Sequence, residues 1–128
     1  YERLPSCVYC NPETAMVGLP EEQARATGRA LGVGTFSLPG HGKALTMGEN
    51  KGFAKFVYDK ATDEILGFHV IGPRATDLAA EVAAVMECEG TVAEIGRTVH
   101  PHPTVSEAVM EAAHVCHGTC VNAPKPRK

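Results

Sequence analysis

The 128-residue sequence contains no tryptophan, and only 5% of its residues are aromatic. Its core must therefore be built mainly from Val, Leu, Ile, Ala and Met. No apolar run approaches the roughly 18 residues that mark a membrane-spanning helix, so no membrane association is expected. Basic residues gather only in the closing K-P-R-K, and the net charge is −3 with His neutral, which argues against a nucleic-acid surface. The opening Y-E-R-L-P-S-C has neither a starting Met nor the charged-then-apolar pattern of a signal peptide, so a piece of something longer is expected. Five cysteines, an odd number, do not complete a disulfide framework, and a reducing, cytoplasmic setting is expected.

Glycine fingerprints for a dinucleotide are missing too. Gly32-Val33-Gly34 begins G-x-G-x-x-G, but Ser37 stands where the third glycine belongs. Gly40-His41-Gly42-Lys43 has the look of a phosphate loop, yet Ser37 again replaces the required first glycine and Ala44 replaces Ser or Thr. Both stretches read as turns.

What is present suits one globular domain, with 44% apolar and 21% charged residues. Residues 5–19 read as an extended lead and a short strand ending near Gly18. Pro20-Glu21-Glu22 opens a helix, since proline suits the first turn and carboxylates suit its positive end. That helix should stop at Gly28 or Gly32. A strand is expected from Val33 to Leu38, then a loop through P-G-H-G-K. The best strands are residues 52–59 and 65–71, joined by the polar turn K-A-T-D-E. The second is apolar nearly throughout, so both its faces should be covered. Residues 75–88 form a helix whose apolar band (Leu78, Ala79, Val82, Ala83, Val85, Met86) is wider than one core requires, which suggests a partner subunit on a second side. A short helix from Val92 to Arg97 follows, and a last one from Val105 to Val115. Strands first and helices after imply an α+β fold with an antiparallel sheet. The domain is taken as residues 1–116 and the C-terminal tail as 117–128.

Before the last helix stands V-H-P-H-P-T-V-S-E-A. Thr104-x-x-Glu107 ahead of an apolar stripe is a capping box, in which Glu107 reaches back to the cap's own N–H. The same carboxylate also stands one turn from His102, where it could accept an imidazole N–H and orient a general base. Prolines on both sides of His102 stiffen its backbone. From the residues alone both readings stand.

H-P-H-P-T-V-S-E-A-V-M-E-A-A resembles the C-terminal signature of the flavin-dependent pyridine nucleotide–disulfide oxidoreductases, above all their dihydrolipoamide dehydrogenase branch. P-S-C-V-Y-C-N-P-E-T-A-M-V-G-L resembles the opening segment of the same region, although threonine would be usual at Cys10. D-E-I-L-G-F-H-V-I-G-P-R-A resembles its central strand and the turn into the interface helix. The likeness spans roughly residues 4 to 115. It implies the fold of the FAD/NAD-linked reductase dimerisation domain and a homodimer in which each subunit lends residues to the other's active site. By the same resemblance His102 is the acid–base catalyst of dithiol–disulfide exchange and Glu107 orients it. The peptide into Pro103 is expected to be cis, with the His102 carbonyl facing the flavin ring. FAD and NAD are implied for the intact enzyme and not for this stretch. The implied docking partner is the peripheral subunit-binding domain of a 2-oxo acid dehydrogenase acyltransferase.

The family's redox pair, two cysteines with four residues between them, has no counterpart here. Cys7 and Cys10 have two residues between them, and Cys116 and Cys120 have three. The chain alone is therefore expected to be inactive. Two other readings accompany this one: a stand-alone dimerisation or docking module, and a metal module built on Cys7-x-x-Cys10 or on His114, Cys116, His117 and Cys120. Cys7 and Cys88 are otherwise expected to be buried and the tail cysteines exposed. His69 reads as a satisfied core histidine, His41 as an exposed loop residue and His100 as structural.

Overall fold

Alternation of apolar and polar residues decides the layers. In the computed structural model, which describes residues 3–123, strand β3 (Leu31–Ser37) alternates buried and open positions along its length. It pairs with β4 (Phe53–Asp59), and β4 with β5 (Ile65–Ile71), through the hairpin that K-A-T-D-E predicts. β5 also takes β2 (Thr14–Gly18), which carries β1 (Ser6–Val8) on its outer edge. The result is a five-stranded antiparallel sheet in the order β1-β2-β5-β4-β3. With the helices it makes the expected α+β fold.

One face of the sheet presents Val17, Phe36, Phe56, Phe68 and Val70, all buried. Phe56 and Phe68 stack at 4.8 Å between ring centroids, which is close aromatic packing. Helices α3 (Ala75–Glu87) and α5 (Glu107–Cys116) cover this face, α3 over β2 and β5 and α5 over β3 and β4, with α4 (Val92–Arg97) against α5. On the opposite face α1 (Glu21–Ala26) seals a smaller cluster of Ala24, Val57 and Leu66. His69 and Ile71 on that face are only half-buried, so β5 is not covered on both sides throughout as expected.

Three expectations need correction. The P-G-H-G-K stretch is not a loop: a 3-10 turn (Leu38–Gly40) leads into a further helix, α2 (Gly42–Met47). Gly32-Val33-Gly34 is not a turn but lies within strand β3, while α1 closes before Gly28, as expected, where φ is +75°. The last helix starts at Glu107 and not at Val105, because residues 101–106 form turns. Residues 118–122 fold back onto α5, while the basic residues from 125 onward lie outside the described residues.

Candidate active site

Helix α5 starts by holding a histidine. Glu107, its first residue, places Oε1 2.7 Å from His102 Nδ1 and accepts the Thr104 backbone N–H at 2.9 Å on Oε2. Both oxygens are engaged, so the carboxylate cannot swing, and the imidazole has one orientation to meet it. Burial opposes the charge on Glu107, but the Thr104 N–H and the His102 ring outweigh it and hold the carboxyl below its ordinary range. With Nδ1–H given to Glu107, the free nitrogen of neutral His102 is Nε2, an acceptor. The His102 side chain is 80% exposed and that of Glu107 18%: a fixed carboxylate carries an open ring.

Only half of the expected capping box forms here. Glu107 does reach the Thr104 N–H, but the Thr104 hydroxyl donates to the Pro101 carbonyl and pairs with Ser106 instead of capping the helix. The two readings of Glu107 are therefore compatible in one carboxylate. A capping box forms instead at Thr91 and Glu94, ahead of α4, where T-V-A-E has the same spacing.

His100 is pinned from two sides. Nδ1 lies 2.9 Å from the Thr98 carbonyl and Nε2 2.7 Å from Glu81 of α3, which anchors the turn before His102 to α3. The His102–Pro103 peptide is cis, as the resemblance implies. His69 is a satisfied histidine, its Nε2 3.1 Å from the Leu19 carbonyl and its pKa lowered by burial.

Three comparisons with known proteins agree on the family. The profile described as "Pyridine nucleotide-disulphide oxidoreductase, dimerisation domain" matches residues 4–113. The chain belongs to this family. Dihydrolipoyl dehydrogenase of Bacillus subtilis is 45% identical over 119 residues, covering 93% of this chain and 25% of that protein. The same enzyme of Thermus scotoductus is 46% identical over 120 residues, covering 94% and 26%. Among solved structures, LpdA of Mycobacterium tuberculosis superposes with a TM-score of 0.82 at 26% identity, over 88% of this chain and 25% of that one. The HOCl-induced flavoprotein disulfide reductase RclA of Escherichia coli gives 0.82 at 26% identity, over 85% and 25%. The chain thus spans about a quarter of the relatives it matches.

The family is one of FAD- and NAD-dependent enzymes. Pro101, His102 and Pro103 are all exposed and form an open edge before α5. Beyond that edge the sequence has no dinucleotide fingerprint to hold FAD or NAD.

The remaining histidines and cysteines do not converge. Among the described residues no three His, Cys, Asp or Glu side chains are placed to share a metal. His114 Nε2 meets the Gly96 carbonyl at 2.8 Å, His117 Nε2 meets Asp63 at 2.8 Å, and Cys120 donates its S–H to Glu111 at 2.8 Å. The expected burial of the cysteines fails at Cys88, which is exposed, and at Cys120, which is buried, while Cys7 and Cys116 are both half-buried, Cys116 against Gly34. Burial pushes the Cys116 thiol up to about 12 and that of Cys120 up to about 11.

His41 is not the exposed loop residue expected. It is buried, its Nδ1 accepts the Ala44 N–H at 3.3 Å, and it caps α2. It shares a cleft of about 260 Å³ with His102, Glu107, Glu111, Lys43 and Asn122. The signal available was Gly42 after a histidine, with an apolar i, i+3 pair (Ala44, Met47) behind it.

Proposed function

We propose that this chain is the dimerisation part of a dihydrolipoyl dehydrogenase-like enzyme and carries that enzyme's acid–base group. His102 would take a proton at Nε2 from a substrate thiol and return it to the departing sulfur of the disulfide under attack. Glu107 holds the ring in the Nδ1–H tautomer and stabilises the imidazolium formed midway. FAD and NAD, bound by the remaining domains, would supply the path for the electron pair. The reading rests on one observation above others: the 2.7 Å contact between an exposed imidazole and a carboxylate whose second oxygen is already fixed.

Homodimer formation would bring the exposed His102 against the partner subunit's flavin side. The acyltransferase's peripheral subunit-binding domain is the docking partner this reading expects. Five unpaired cysteines suit a cytoplasmic, reducing setting. Alone, the chain should show no diaphorase or lipoamide activity.

The test is made in the full-length flavoenzyme. His102→Gln should lower kcat for dihydrolipoamide oxidation by about 10²–10⁴-fold, the usual worth of a positioned general base. Glu107→Gln should lower it less and shift the pH profile. A His102→Gln enzyme with undiminished kcat would end this reading.

A further inference from the structure

Strand β3 closes one side of the sheet, and among the described residues no strand pairs with its outer edge. The Lys60 N–H donates to the Ala30 carbonyl at 2.8 Å, and the Leu38 N–H to the Gly52 carbonyl at 3.0 Å. Even-numbered residues of β3 therefore bond to β4, and the odd-numbered ones aim their N–H and C=O groups away from it. Val33, Thr35 and Ser37 thus present donors and acceptors outward, repeating about every 7 Å. All three residues are exposed, and among the described residues nothing hydrogen-bonds to these backbone groups.

Sheet edges are ordinarily guarded by shortness, a charge, a proline or a bulge. At the other side of the sheet β1 is only three residues long. β3 has seven residues, L-G-V-G-T-F-S, with no charge, no proline and an unbroken register against β4. Nor is the edge filled from the side. The return of residues 118–122 leaves a groove of about 620 Å³ beside it, lined by Thr35, Phe36 and Ser37 together with Val115, Cys120 and Asn122. No charged side chain lines this groove.

Outward main-chain groups at strand spacing are met best by another main chain, which supplies the complementary row. A second copy of the chain fits less well. Its β3 would bring its own α5 on the same face, into the space beside the first copy's return, which is held on α5 through Glu111. The uncharged groove on one face and the exposed Val33 on the other select side chains that carry no charge. We infer that the outer edge of β3 is a docking site for an extended, uncharged segment of another polypeptide, which adds to the sheet as a further strand and sets an apolar side chain into the groove.

The probe is a peptide of alternating threonine and valine, blocked at both ends and carrying one terminal lysine for solubility. Added to the full 128-residue chain, it should slow amide hydrogen exchange at Val33, Thr35 and Ser37. Gly32, Gly34 and Phe36, already bonded to β4, should be protected with or without it. Binding should saturate with a midpoint below about 1 mM. N-methylation of alternate peptide amides gives two forms. The form that loses the N–H groups facing β3 should bind at least about tenfold more weakly, and the other should bind as before. Thr35→Pro removes an outward N–H and no ladder bond, and should abolish binding with unchanged circular dichroism. Thr35→Lys, which sets a guarding charge on the edge, should do the same and serves if the proline disturbs the fold. Equal binding of the two N-methylated forms, no saturable response up to about 1 mM, or undiminished binding by folded variants would each overturn the inference. Protection of the three outward amides without peptide would overturn it too. Protection that rises with chain concentration gives the edge to a second copy, and protection in the full-length flavoenzyme alone gives it to that enzyme's other domains.

Discussion

Glu107 shares itself between a side chain and a backbone, and a glutamine cannot do the same. Its amide would offer one acceptor oxygen where two donors, His102 Nδ1–H and the Thr104 N–H, now converge. In Glu107→Gln the Nδ1–H tautomer of His102 should fall from the dominant form towards a mixture, read from ring ¹⁵N shifts above the histidine titration. Tautomer populations unchanged from wild type would show that the carboxylate does not orient the ring. The thiols give a second residue-scale expectation. Cys116 and Cys120, with pKa values pushed to about 12 and about 11, should be alkylated roughly 100-fold more slowly than exposed Cys10 and Cys88 in the native chain, and equally once unfolded. Mass spectrometry of a timed iodoacetamide reaction measures this. At this scale the sequence disclosed the His102–Glu107 pair, because five residues across a helix start is a spacing that geometry nearly dictates. It concealed His41 and the cysteines, since their burial depends on α2 and on the return of residues 118–122, neither of which has a strong local pattern.

Elements meet here through missing side chains. A Cβ on Gly34 of β3 would lie 2.7 Å from the Cys116 backbone N and 2.9 Å from the Ala112 carbonyl, both on α5. Backbone cannot step aside cheaply, so Gly34→Ala should push α5 off the sheet and cost about 1–3 kcal/mol. The urea midpoint should fall with the slope unchanged. A midpoint within error of wild type would mean that α5 does not sit this close. Acid stability belongs to the same scale. Glu13 reaches from the turn before β2 to the start of α3, where its carboxylate accepts the Thr76 hydroxyl at 2.7 Å and the Thr76 N–H at 3.0 Å. The hydroxyl first, then the N–H, hold its pKa below the ordinary range, and Glu107 is likewise lowered. Both carboxyls hold more protons unfolded than folded at acid pH. Their contribution is therefore whole at and above the ordinary glutamate range and is lost as pH falls through the folded values. The thermal midpoint should decline below about pH 4, and less steeply in Glu13→Gln. Strand pairing and the α3 helix were legible because periods of two and of 3.6 leave clear traces over long segments. Helix α2 was not, since two glycines and a proline around a single turn mimic a loop.

Over the whole molecule the open question is what covers the outer side of α3. The sheet already buries Leu78, Ala79, Val82 and Met86, so much of the wide apolar band is met within the chain itself. What α3 turns outward is a stripe of small residues, with Ala80 and Ala84 exposed four apart, and Glu81 beside them holding His100. Small residues let two backbones approach closely, and the family is one of dimerisation domains. A partner seated on this stripe would stand next to the turn that carries His102, linking subunit pairing to the acid–base group. Light scattering of the 128-residue chain over a range of concentrations should show a dimer. Ala84→Arg, on an exposed position that costs the monomer fold little, should convert it to a monomer with unchanged circular dichroism. If the wild-type chain is a dimer and Ala84→Arg leaves it so, pairing runs through another surface, such as the half-covered sheet face around Met16 and His69. If the wild-type chain is monomeric at every concentration, pairing depends on the further three-quarters present in its relatives, and His102 is completed only in the intact enzyme.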